Sequence, residues 1–137
     1  MTMTHEQKAL IRESFDRVRD MAGPLALLFY GKLFELDRGA RRLFHNDIRL
    51  QGLKLMDMLG SLIDALDRFD SMEGKLSDLG RRHAGFGVRP EQYDTLKTAL
   101  LWRLAQALGP DFDEKTRAAW ALLIESVNQT MKAAPVA

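Results

Sequence analysis

Apolar residues recur at helical spacing in every long segment of the chain, and this pattern limits the fold more than any other feature. Ile11, Phe15 and Val18 form one such stripe, and later segments repeat the same three- and four-residue intervals. No alternating run of β-branched and polar residues bounded by turn residues occurs in the sequence, so strands are not expected. The pattern therefore predicts an all-α protein with six or more helices.

The length and the cysteine count narrow the architecture further. A chain of 137 residues suffices for one domain, 1–137, that buries a core or encloses a cofactor. Its last residues, 133–137, are expected to fray. The absence of cysteine excludes disulfides, thiolate metal sites and haem attached through thioether bonds. Metal binding would rest on the three histidines and the acidic residues.

The charge balance excludes several classes of partner. Lysine and arginine number 20 against 19 acidic residues, which leaves a formal net charge of +1. This balance gives no electrostatic reason to expect nucleic acid or a membrane surface as partner. The chain begins without an apolar signal core, and no run of residues approaches membrane-spanning length. We therefore expect a cytoplasmic protein.

Caps, prolines and glycines set the expected helix boundaries. Thr4 and Gln7 form a capping box that opens the first helix, and Asp113 caps the last one. Proline suits the first turn of a helix, and glycine its end. The remaining expectations are a helix over about 24–36, another over about 48–66, a loop over 68–75, a helix over 76–85, and a helix from Pro90 to a stop at Gly109.

The helices expected over 24–36 and 48–66 are apolar on more than one face, which predicts burial on more than one side. Tyr30 is the polar exception in the first of them, and a buried phenol needs a hydrogen-bond partner. Gly52, in the second, either allows another helix to cross closely or is merely tolerated there. The apolar positions are Leu25, Leu27, Leu28, Phe29, Leu33, Phe34 and Leu36 in the first, and Leu53, Leu55, Met56, Leu59, Leu62 and Ile63 in the second.

His83 ends an apolar helical face that also carries Leu76 and Leu79. A histidine in the last turn complements the negative end of a helix, and Gly85 supplies a stop. The same imidazole is also suited to bind a metal beneath an apolar cofactor. The residues of this segment alone leave both interpretations open.

The order of these features resembles the globin family, specifically the single-domain bacterial haemoglobins and the haem domain of flavohaemoglobins. The resemblance spans nearly the whole chain and implies a globin fold of six to eight helices packed around a haem pocket. It also implies haem b, bound non-covalently, as cofactor. The segments that carry it are 28–34 (LFYGKLF), Leu43 with Phe44, Gln51 with Leu55, 80–83 (GRRH) through Gly87 and Val88, and Tyr93 ten residues after His83.

The resemblance assigns a role to each matching position. It places His83 as the proximal iron ligand, Tyr30 and Gln51 as the distal pair, and Phe44 as the ring stacked on the porphyrin. The remaining expected contacts are Leu55 on the distal side, Leu79, Val88, Tyr93 and Leu96 on the cofactor, and Lys54 at its edge, where a solvated lysine is the alternative. His45 lies towards the same edge and is not expected to bind iron.

These roles imply a globin that binds O₂, and also NO and CO, reversibly and with high affinity. A hydrogen bond from the Tyr30 phenol to a charged acceptor contributes about 1.5–3 kcal/mol. The first alternative is an NO dioxygenase that depends on an external reductase, and the second is a gas sensor. Flavohaemoglobins carry a glutamate late in the last helix, but the matching position here falls in the tail, and Glu125 is too early. Monomer and homodimer both remain open.

Overall fold

The computed structural model describes residues 2–44 and 47–134, and within them it is built from α-helices and short 3₁₀ helices without any strand. The all-α prediction is therefore confirmed. The six α-helices of these residues are α1 (His5–Val18), α2 (Ala22–Leu36), α3 (Ile48–Asp64), α4 (Glu73–Gly85), α5 (Pro90–Leu108) and α6 (Glu114–Ala133).

The predicted caps form as expected at the start of the first and of the last α-helix. The Thr4 hydroxyl accepts a hydrogen bond from the Gln7 amide at 3.1 Å, and the Gln7 side chain accepts one from the Thr4 amide at 2.9 Å. The Asp113 carboxylate caps α6 by accepting from the Thr116 amide at 2.8 Å. Gly109 ends α5 with φ at +56°, a left-handed value that favours glycine.

The core joins the first and last helices. Trp120 of α6 is fully buried, and its indole nitrogen donates a hydrogen bond to the Ser14 hydroxyl of α1 at 2.8 Å. Phe15 packs beside the Trp120 ring at 6.4 Å between centroids. The stripe predicted for α1, including Ile11 and Val18, is buried against this contact.

Two glycines allow helices to cross at close range. A Cβ atom at Gly52 of α3 would lie 2.6 Å from the Cβ atom of Ala26 in α2. A Cβ atom at Gly80 of α4 would lie 2.8 Å from Cα and 2.9 Å from the carbonyl carbon of Met131 in α6. Carbon atoms do not approach this closely, so only glycine fits at either crossing. Of the two interpretations of Gly52, close helix crossing is confirmed.

Several expectations about local structure were wrong. The loop expected over 68–75 is a 3₁₀ helix, Leu66–Met72, followed directly by the first turn of α4. The third helix ends at Asp64 instead of Leu66. Leu27, Leu28, Leu36 and Leu53 were expected to be buried, yet each is about half exposed, with fractions from 45% to 52%.

The last helix, α6, reaches almost to the end of the described residues. Helix α6 continues through Ala133, so the first residue of the predicted frayed tail is helical. Ala134 follows as the C-cap residue with an extended backbone, and 135–137 lie outside the described residues. Among the helices that the structure describes, none combines the length and apolar character needed to cross a membrane.

Candidate functional site

A cavity of about 580 Å³ lies between α2 and α3 on one side and α4, α5 and α6 on the other. This volume is within the range of small-molecule and cofactor pockets. All ten residues that the sequence analysis selected for the site line this cavity, although they come from separate parts of the chain: Tyr30, Phe44, Gln51, Lys54, Leu55, Leu79, His83, Val88, Tyr93 and Leu96.

His83 enters the cavity from the last turn of α4. Its Nδ1 lies 2.8 Å from the carbonyl oxygen of Leu79. A carbonyl oxygen only accepts, so Nδ1 carries the proton and Nε2 keeps a free lone pair. Burial lowers the pKa of His83 below its usual 6.5, and the charge of Arg82 adds to this effect, while the bond to Leu79 opposes it. The imidazole is therefore neutral at pH 7 and able to bind a metal.

Tyr30 occupies the opposite wall and is 5% exposed. Its hydroxyl donates a hydrogen bond to the backbone carbonyl of Gln51, with a long oxygen–oxygen distance of 3.5 Å. The contact is therefore to the main chain of Gln51 and not to its side chain. Burial raises the pKa of Tyr30 to about 12, so the phenol keeps its proton and remains a donor at physiological pH.

Aromatic packing fixes Phe44 at the edge of the wall that carries Tyr30. Its ring meets the Tyr30 ring edge to face at 5.1 Å and the Phe34 ring edge to face at 5.4 Å. Such pairs contribute about 0.5–1.5 kcal/mol beyond the area they bury. Phe44 therefore has a defined orientation beside the cavity, as a residue that stacks on a flat ligand requires.

The wall that carries His83 contains contacts that the sequence did not reveal. The Tyr93 ring stacks near the His83 ring, with centroids 6.4 Å apart and planes 26° apart. Asn128 of α6 is buried, and its side-chain amide donates to the Tyr93 backbone carbonyl at 3.0 Å.

Met58 and Leu62 of α3 also line the cavity. Their spacing from Leu55 on α3 was a signal that could have identified them.

Two exposed basic side chains lie at the rim of the cavity. Lys54 and Arg82 both line the cavity and are exposed, and Phe86, 76% exposed, lies on the same rim. Asp37 and Gln92 line it as well, and nothing in their local sequence indicated this. His45 lies outside the described residues.

Comparison with known proteins agrees with this geometry. The sequence model of the globin family matches residues 27–131. The neuroglobin of Tetraodon nigroviridis is 27% identical over 143 aligned positions, which cover 94% of this chain and 90% of the relative. The neuroglobin of Danio rerio is 25% identical with the same coverage, and neuroglobin-1 of Oncorhynchus mykiss is 25% identical over 86% of this chain and 83% of the relative.

The chain therefore belongs to the globin family, whose members bind haem and diatomic gases. The predicted globin fold is confirmed. The relatives named above are neuroglobins, so they support the family but not the more specific resemblance to bacterial haemoglobins and flavohaemoglobins.

The residues present fit a haem. In the part of the chain that the structure describes, no three histidine, aspartate or glutamate side chains group around a possible metal position. A single imidazole in an apolar cavity therefore suits a metal that arrives with its other ligands, as iron does in haem. The apolar walls suit the porphyrin plane, and the exposed Lys54 and Arg82 suit its two carboxylates.

Proposed function

We propose that this globin holds haem b non-covalently and binds O₂, NO and CO reversibly, with His83 as proximal ligand and Tyr30 as distal donor. One observation carries the proposal. A neutral imidazole with a free Nε2 and a protonated phenol line opposite walls of one apolar cavity. When bound, haem supplies an iron centre with one position for the imidazole and one for a diatomic ligand.

Two hydrogen bonds bear on how His83 would hold the iron and how Tyr30 would favour one gas over another. The Leu79 carbonyl fixes the ring of His83 by accepting its Nδ1 proton. Tyr30 loses little by turning its hydroxyl from the Gln51 carbonyl to a ligand, because that bond is already at 3.5 Å. A phenol that donates to O₂ favours O₂ over CO, since O₂ accepts more negative charge. The result is slow release of O₂.

The proposal also includes the type of globin to which the chain is related. The Tyr30 and Gln51 pair supports kinship with single-domain bacterial globins and flavohaemoglobin haem domains, and both residues line the cavity. NO dioxygenation with an external reductase is the second candidate function. Glu125, the later acidic residue of α6, forms an ion pair with Lys97 at 3.0 Å and does not line the cavity. Reversible binding is therefore the better-supported function.

The first test is the visible absorption spectrum after addition of haemin. Oxidised, reduced, and reduced plus CO samples of the natural chain are compared with His83→Ala and with His5→Ala, a control at an exposed histidine. We expect a strong porphyrin band that shifts on reduction and on CO binding, preserved in H5A and lost or changed in H83A. A natural chain that takes up no haemin, or an H83A spectrum identical to it, would contradict the proposal.

The second test measures the distal hydrogen bond. Tyr30→Phe should speed O₂ release about tenfold or more, because the lost bond contributes about 1.5–3 kcal/mol. Tyr93→Phe removes a phenol from the proximal side of the same cavity and should leave the rate nearly unchanged. An unchanged release rate in Y30F would exclude Tyr30 from ligand stabilisation. Sustained NO consumption with a cellular reductant would instead favour the dioxygenase.

A further inference from the structure

Asp37 and Gln92 join two walls of the cavity that are far apart in sequence. The Gln92 amide nitrogen donates to a carboxylate oxygen of Asp37 at 3.0 Å, and both residues line the cavity. Asp37 precedes the 3₁₀ helix Arg38–Leu43, which leads to Phe44. Gln92 lies in the first turn of α5, next to Tyr93.

Each partner of this contact, hereafter the Asp37–Gln92 bridge, also caps its own element. The second carboxylate oxygen of Asp37 accepts from the Gly39 amide at 3.0 Å, at the start of the 3₁₀ helix. The Gln92 carbonyl oxygen accepts from the Arg89 amide at 2.8 Å, at the start of α5. A carboxylate only accepts and a backbone amide only donates, so the orientation of the Gln92 side chain is determined.

The charges around the bridge strengthen it. The hydrogen bond from Gln92 is the largest cause that lowers the pKa of Asp37, followed among the lowering causes by the Gly39 amide and the charge of Arg89. The carboxylate is therefore ionised at neutral pH, and the bridge is a charge-assisted hydrogen bond.

We propose that Asp37 and Gln92 are positioning residues that hold the Phe44 wall against the start of α5 and thereby slow the release of the bound cofactor. This inference rests on the proposed function, since it concerns the same cavity. Separation of these two walls breaks the bridge, so the bridge opposes widening of the cavity between them. Neither residue needs to contact the ligand to have this effect.

The bridge is tested by exchanging its donor and acceptor. Gln92→Glu keeps an oxygen that accepts from the Arg89 amide, but it cannot donate to Asp37 and adds a like charge beside it. Combining it with Asp37→Asn restores one donor and one acceptor, with their positions exchanged and the net charge unchanged. Gln106→Glu, at an exposed position on the same helix, controls for the added charge.

The measurement is the rate at which haemin passes from each variant to an excess of a haem-scavenging apoprotein. We expect release from Q92E to be about three- to tenfold faster than from the natural chain, since a part-buried polar bond contributes modestly. The double variant should return to within about twofold, as should Q106E. Hydrogen exchange of the Gly39 amide, measured without haemin, should follow the same order, because that amide donates to Asp37.

The outcomes separate this inference from the proposed function. A natural chain that takes up no haemin overturns both proposals. A natural chain that binds haemin, with Q92E no faster in release, overturns the bridge alone. Faster release that the double variant does not restore also overturns it, because an effect of Gln92 that is independent of Asp37 is not a bridge.

Discussion

Replacing Gly80 with alanine should displace the helix that carries His83. Gly80 lies one turn before His83 on α4, and a Cβ atom added there would meet the backbone of Met131 in α6. The new Cβ would lie 2.8 Å from Met131 Cα and even closer to its carbonyl oxygen. Both partners are main-chain atoms in the last turn of α6, so no side-chain rotation relieves the overlap. The two helices must move apart by roughly 1 Å to restore normal contact.

The energetic cost follows from this geometry. Overpacking a well-packed site costs about 1–3 kcal/mol, and rigid backbone partners place Gly80→Ala at the upper end. Alanine also gains about 1 kcal/mol over glycine in helix propensity. We therefore expect a net loss of about 2 kcal/mol in the free energy of unfolding. Gly74→Ala on the same helix meets no atom within 4 Å, so it should be neutral or stabilising.

Two measurements check the effect. Denaturant unfolding of the natural chain, G80A and G74A gives the free energies, with an expected difference of about 2–3 kcal/mol between the two variants. Haemin titration then reports on the site, because a shift of about 1 Å moves a metal ligand out of its productive position. G80A should bind haemin more weakly, and G74A as the natural chain does. Equal stability and equal haemin affinity in the two variants would refute the argument that the helix crossing positions His83.

Three further predictions concern the helix contacts and the distal phenol. Gly52→Ala should destabilise the fold by about 1–3 kcal/mol, because its new Cβ would lie 2.6 Å from the Cβ of Ala26. Adding Ala26→Gly should recover part of this loss. A double variant no more stable than G52A would contradict this explanation. Ser14→Ala leaves the buried Trp120 indole nitrogen without its partner and should cost about 1–3 kcal/mol in denaturant unfolding; a loss below 0.5 kcal/mol, on the order of a surface substitution, would show that the bond is unimportant. Burial raises the pKa of Tyr30 from 10.0 to about 12, so stability present below pH 10 is lost as the pH rises towards 12. That loss is about 2–3 kcal/mol in the cofactor-free protein and should be absent in Y30F; parallel alkaline unfolding of both proteins would refute it.

The fold could be predicted where the cause lies within a few residues. The Thr4 capping box, the Asp113 cap and the stop at Gly109 are local hydrogen bonds or local backbone conformations, and all three formed as predicted. Burial on a second helical face was less predictable, because it depends on what lies opposite. Leu28 and Leu53 were expected in the core but are half exposed. Hydrophobic spacing alone cannot show which of two apolar faces meets another helix.

For the site, the lining residues could be predicted and the polar contacts around them could not. The ten residues selected through the family resemblance line one cavity, because a shared fold brings the same positions together. The polar contacts around them were not foreseen. Asn128 bonds to Tyr93 across 35 positions, and Gln92 bonds to Asp37 across 55. Such pairs have no local spacing rule, so a single sequence gives no sign of them.

The two helix crossings together explain why the cavity has two chemically different walls at a fixed separation. Gly52 sets the approach of α3 to α2, and therefore the position of the Gln51 carbonyl beside Tyr30. Gly80 sets the approach of α4 to α6, and therefore the position of His83. Neither glycine lines the cavity itself. Substituting a lining leucine should therefore change the cavity volume and the ligand affinity, whereas substituting either glycine should change the distance between the phenol and the imidazole.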